Sequence, residues 1–93
     1  MLTAREQEAV RQIGVAINRE RTQRKLTLQD LASRCGMTKT ALSAIENGKR
    51  DIRVSTLYRI AVALGVPTKD LLSRPSGESS SDVAGGYDLR SLF

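Results

Sequence analysis

An all-α domain of five helices is what this sequence predicts, and three observations predict it. Apolar residues recur at helical spacing in each of the segments 10–17, 28–35, 42–45 and 57–64. Threonines at 3, 27, 38 and 68 stand where helices would start, and Gly36, Asn47-Gly48 and Gly65 stand where they would stop. No segment carries the alternating pattern of a strand.

Thr3 and Glu6 make a capping box, T-x-x-E, so the first helix is expected from about Thr3 to Gln23. Val10, Ile13 and Ile17 form its inward stripe. Gly14 within it lowers helix propensity by about 1 kcal/mol relative to alanine, which points to a close helix–helix contact that needs a small residue. Arg24 and Lys25 end this helix, and Leu26 leads into Thr27, a good N-cap. The second helix buries either Leu28 or Leu31, together with Ala32 and Cys35, and stops at Gly36. A residue just past a helix end commonly takes positive φ, which suits glycine.

Thr38 caps a third helix from Lys39 to about Asn47, with Leu42 and Ile45 inward and Asn47-Gly48 as its stop. Residues 49–53, KRDIR, form a basic loop. A fourth helix is expected from about Val54 to Leu64, its start open between Arg53 and Ser55, burying Leu57, Ile60, Ala61 and Leu64. Gly65 terminates it, and Thr68 caps a last short helix through Leu72. After Ser73 the composition changes: RPSGESSSDVAGG is a flexible polar linker, and YDLRSLF is apolar again, with Leu89, Leu92 and Phe93 at i, i+3, i+4. The expected organisation is one domain over residues 1–73, then a linker and short apolar tail over 74–93.

The charge is uneven. Of a net +5, residues 1–73 hold 13 Lys/Arg against 7 Asp/Glu, and residues 74–93 hold 2 against 3. A compact basic body suits a polyanionic partner such as nucleic acid. With no histidine and one cysteine, disulfide frameworks and the usual zinc clusters are excluded, as is His-based acid–base or nucleophilic chemistry. No enzyme activity, metal or cofactor is expected. The polar start, MLTAREQEAV, lacks a secretory core, and no apolar run approaches the roughly 20 residues of a membrane span. The expectation is a cytoplasmic, nucleoid-associated protein with Cys35 reduced, a small core residue rather than a redox sensor.

Residues 27–48, TLQDLASRCGMTKTALSAIENG, read as two short helices joined by a tight turn, with Lys39, Thr40, Ser43 and Ala44 left facing outward. That is the spacing of a DNA-reading helix-turn-helix. Ala32 lies where the two helices touch, and Gly36 lets the chain reverse. An ordinary helical hairpin shares several of these residues; their combination on a basic body favours the DNA-reading form.

The segments LTLQDLASRCGMTKTALSAIENGKR and TLYRIAVALGVPTKDLL resemble the lambda-repressor-like, Cro/cI-type (XRE) DNA-binding domains, over about residues 10–72, with Ile45–Lys49 the most specific part. Small regulators of this kind include restriction–modification controller proteins and antitoxins. The resemblance implies a five-helix bundle that binds pseudo-palindromic double-stranded DNA as a homodimer, its third helix in the major groove. By position, the base readers would be Lys39, Thr40, Ser43 and Ala44. Their chemistry suits guanine O6/N7 for Lys39, a thymine methyl for Thr40 and Ala44, and several edges for Ser43. No Arg, Asn or Gln is among them, so DNA shape and loop contacts would share the burden of specificity.

Backbone contacts would come from main-chain N–H groups near Thr27 and Thr38, where helix dipoles favour phosphate, and from Lys49, Arg50 and Arg53 in the loop. Arg21 and Glu46 would pair structurally. Three residues depart from the pattern: Leu28, where many members carry a DNA-supporting glutamine; Glu20, where the first helix is often apolar; and Asp51, within the basic loop. The dimer surface is expected near helices four and five, where Val66, Leu71 and Leu72 would remain partly exposed. An antitoxin is the alternative function, with the same core and residues 87–93 docking on a toxin protein. An adaptor that uses the bundle without reading DNA is a third reading, which the basic recognition helix and loop disfavour.

Overall fold

The computed structural model describes residues 1–72; the expected linker and the tail with its protein partner lie outside the described residues. Five helices form among the described residues: α1 (Ala4–Gln23), α2 (Leu28–Cys35), α3 (Lys39–Glu46), α4 (Val54–Leu64) and α5 (Thr68–Leu72). Each start follows from local chemistry. The Thr3 hydroxyl accepts from Glu6 N–H at 3.1 Å while Glu6 Oε1 accepts from Thr3 N–H at 2.9 Å, and Thr27 with Asp30 repeats the device for α2. Thr38 caps α3 through Ala41 N–H at 3.0 Å. Arg53 is the N-cap of α4, without a side-chain hydrogen bond. Thr68 departs from expectation: it is the first residue of α5 and not its cap, because Pro67 ahead of it accepts from Asp70 N–H and begins the turn.

The chain reverses at Gly36, whose φ of +69° is the left-handed region. Met37 N–H then reaches back to Ala32 O at 3.0 Å, satisfying a carbonyl at the end of α2. At the end of α1 the same conformation falls on a side-chain residue, Lys25 (φ 58°).

The core gathers one face from every helix. Ile17, Leu31, Leu42, Ile60 and Leu71 are fully buried, with Ala32 and Cys35 among them. Leu31 takes the deep position of α2, and Leu28 is only partly buried, against the rim of this core. The helix-turn-helix pair α2 and α3 pack on each other, α2 also on α4, and α1 runs beneath α3 and α5. The expectation that Leu71 lies on an open dimer surface is corrected here: it is 1% exposed, because α5 folds onto both α1 and α4. Val66 is partly buried, and Leu72 alone of the three stands clearly exposed.

The close contact anticipated at Gly14 is between α1 and α3. A Cβ there would come within 2.6 Å of Glu46 O and also clash with Ile45 O. No side chain fits, so α1 and the end of α3 cross backbone against backbone.

Candidate nucleic-acid interface

Helix α3 turns Leu42, Ile45 and Glu46 inward. By helical spacing its other side then carries Lys39, Thr40, Ser43 and Ala44. These four residues line one shallow surface depression together with Leu28, Asn47 and Lys49. The structure therefore brings all four expected base readers together and adds one member of the expected backbone set. Arg50 and Arg53 fall elsewhere, in a cleft beside Met37, Ala41, Asp51 and Arg59. Arg59 carries no distinguishing sequence signal, being one cation within an apolar helix.

Asn47 does more than stop α3. Its Nδ2 donates to Ser43 O at 2.9 Å and to Ser43 Oγ at 3.3 Å. One lone pair of the Ser43 hydroxyl is thereby occupied, which leaves its O–H as the group best placed to donate outward.

The two helix N-termini expected to hold phosphate are not equivalent. At α2, Thr27 N–H donates to Asp30 Oδ2 at 2.9 Å. That hydrogen bond, seconded by the Thr27 hydroxyl, holds the Asp30 carboxyl below its ordinary value. A carboxylate thus already occupies the positive end of α2. At α3 the first turn contains no acid, so no carboxylate of its own competes with an anion at this N-terminus.

Helix α3 is held against α1 by a buried polar seam. Glu46 accepts from Arg21 Nε at 2.7 Å, Arg21 Nη2 at 3.1 Å and Asn18 Nδ2 at 2.9 Å. Arg21 also donates through Nη1 to Leu26 O at 2.7 Å, tying down the turn before α2. Gln7 Nε2 donates to Gly48 O at 2.7 Å, fixing the exit from α3. The structural pairing of Arg21 with Glu46 is as anticipated; Asn18 and Gln7 were not singled out. A signal for them exists, because Gln7, Arg11, Gly14, Asn18 and Arg21 step along α1 by four and three residues and so share a face.

The departures have accounts of their own. Glu20 accepts from Arg24 at 2.7 Å and from Arg19 at 3.3 Å, and the Arg24 hydrogen bond holds its carboxyl below the ordinary range. Asp51 Oδ1 accepts from Ile52 N–H at 2.8 Å within the loop. Cys35 is buried, and burial pushes its thiol up, with Arg59 opposing weakly. Among the described residues no cluster of His, Cys, Asp and Glu could hold a metal, and no helix is long and apolar enough to cross a membrane.

Residues 17–71 match the helix-turn-helix family. An HTH-type transcriptional regulator of Sinorhizobium fredii, y4dJ, is 36% identical over 67 residues, which is 72% of this chain and 86% of that protein. The control protein C.BamHI of Bacillus amyloliquefaciens is 38% identical over 47 residues, 50% of this chain and 58% of the relative. Among solved structures, the clp gene regulator ClgR of Corynebacterium glutamicum superposes with a TM-score of 0.71 at 25% identity, covering 90% of this chain and 88% of that one. With the buried Arg21–Glu46 pair, the Gly36 turn and the outward face of α3 in place, the match has a structural basis: the chain belongs to the helix-turn-helix family, XRE type, of DNA-binding transcription regulators.

Proposed function

We propose that this protein binds operator DNA sequence-specifically as a homodimer, with α3 lying in the major groove. The observation that carries this reading is the single depression uniting Lys39, Thr40, Ser43, Ala44, Asn47 and Lys49 on the outward side of α3. Lys39 supplies a donor for guanine O6/N7, the Ser43 hydroxyl a donor for purine or thymine acceptors, and Thr40 and Ala44 the methyl groups that meet a thymine. Phosphate is held at the N-terminus of α3 by the N–H groups following Thr38, and by Lys49, Arg50 and Arg53 on its flanks. Thr27 contributes less than its position suggests, since its N–H is engaged by Asp30.

The dimer face follows the exposed stripe of α4. Val54, Tyr58 and Val62, four residues apart, are 79%, 62% and 59% exposed, a contiguous apolar row that a monomer leaves in water. Two-fold pairing would set the recognition helices about 34 Å apart, one turn of the duplex. The likeness to regulators supports an operator as the target. Nothing among the described residues favours the antitoxin alternative.

Selection from a random duplex library at near-physiological salt tests the reading. A two-fold-related site should emerge. Lys39→Ala should cost specific binding more than random binding, while Arg50→Ala and Arg53→Ala should weaken both alike and flatten the salt dependence by about one unit each. Equal loss on both DNAs for Lys39→Ala refutes its role as a base reader. A Val62→Glu variant that keeps its melting temperature but sediments as a monomer supports the α4 face; unchanged dimerisation refutes it.

A further inference from the structure

Leu28 is the first residue of α2, yet it lines the depression whose other walls come from α3 and the residues just after it. Its side chain is partly buried and packs against the core, so core contacts restrict its rotamers before any ligand arrives. The polar groups of this lining are the Lys39 and Lys49 ammoniums, the Thr40 hydroxyl, a Ser43 hydroxyl that accepts from Asn47, and the Asn47 amide that donates to Ser43 O and Oγ. The rest of the lining includes carbon from Leu28, Ala44 and the Thr40 methyl. A major-groove edge presents one apolar group to such a surface, the C5-methyl of thymine.

We infer that Leu28, with Ala44, forms an apolar notch that receives a thymine C5-methyl, so that α2 as well as the recognition helix determines sequence preference. The inference rests on the proposed docking of this face in the major groove. Because the leucine is already restrained, excluding water from one methyl needs little further ordering of the protein.

Replacing thymine by deoxyuridine, one position at a time in the selected duplex, removes only that methyl. Wild-type protein should lose about fourfold in affinity at one thymine of each half-site, the ratio that about 0.8 kcal/mol per buried carbon group corresponds to. Leu28→Ala should abolish the thymine-over-uracil preference at that position and leave other positions unchanged. Leu28→Met, which keeps apolar bulk and spares the core, should retain it. A circular dichroism melt of each variant separates loss of fold from loss of the contact. Specific binding with a preference that survives Leu28→Ala in a folded protein overturns the inference alone; specific binding with no thymine whose methyl matters overturns it together with the methyl contacts assigned to Thr40 and Ala44, and leaves the docking itself standing. Failure of the selection to yield any preferred duplex overturns the docking reading and the inference with it.

Discussion

Removing Arg21 should damage the domain more than an exposed arginine would. The Arg21 and Glu46 side chains are 12% and 5% exposed. Their two hydrogen bonds, with a third from Asn18, are what compensate the carboxylate for lost water. Arg21→Met leaves Glu46 with Asn18 alone and strips the Leu26 carbonyl of its donor. Breaking a buried pair by removing one partner costs about 3–5 kcal/mol. A domain of this size has about 5–15 kcal/mol in all, so about a fifth or more of its stability is at stake. At about 4–8 °C per kcal/mol, the melting temperature should fall by at least about 12 °C. Replacing both partners, Arg21→Met with Glu46→Met, removes the uncompensated charge and should recover more than half of the loss. Urea denaturation of the two single variants and the double one gives the coupling energy directly. A loss below about 1 kcal/mol for Arg21→Met, or a double variant as unstable as the two singles summed, would refute the view that this seam clamps α3 to α1.

Gly14→Ala should be destabilising despite alanine's better helix propensity, by about 1–3 kcal/mol of overpacking, because its Cβ meets backbone that can yield only by moving α3; a raised melting temperature would contradict this. Lys25→Gly should stabilise by roughly 0.5–1 kcal/mol, the strain of a left-handed side-chain residue less the entropy that glycine loses, as read by thermal melting. The Cys35 thiol should be inert to an aromatic disulfide reagent until the protein unfolds, so its labelling rate should follow global unfolding across a urea series. For Asp30 the folded pKa lies below the unfolded value, so its stabilisation is present above about pH 4 and is lost as pH falls through the folded value. Asp30→Asn should therefore lower stability at neutral pH and flatten its decline below about pH 4; Glu20, held low in the same way, keeps part of that decline.

Much of the site was legible because the helix-turn-helix is short-range. Thr27, Gly36 and Thr38 act on chain within four residues of themselves, so their roles follow from adjacency. The outward face of α3 also followed from spacing, since Leu42 and Ile45 name the inward side and leave Lys39, Thr40, Ser43 and Ala44 opposite. Less legible was which cations accompany them. Lys49 and Arg50 are neighbours in sequence, but they line different depressions.

Among the described residues, helix number, most caps and stops, and the outward face of α3 were set along the chain, by hydrogen bonds and periodicities that need no distant partner. Packing alone buried Leu71, left Val54, Tyr58 and Val62 open, drew Asn18 and Gln7 into the seam under α3, and placed Leu28 of one helix beside the outward face of another. Periodicity says which residues share a side of a helix. What covers that side depends on how the helices cross, and here a glycine that lets two backbones touch helps to set the crossing.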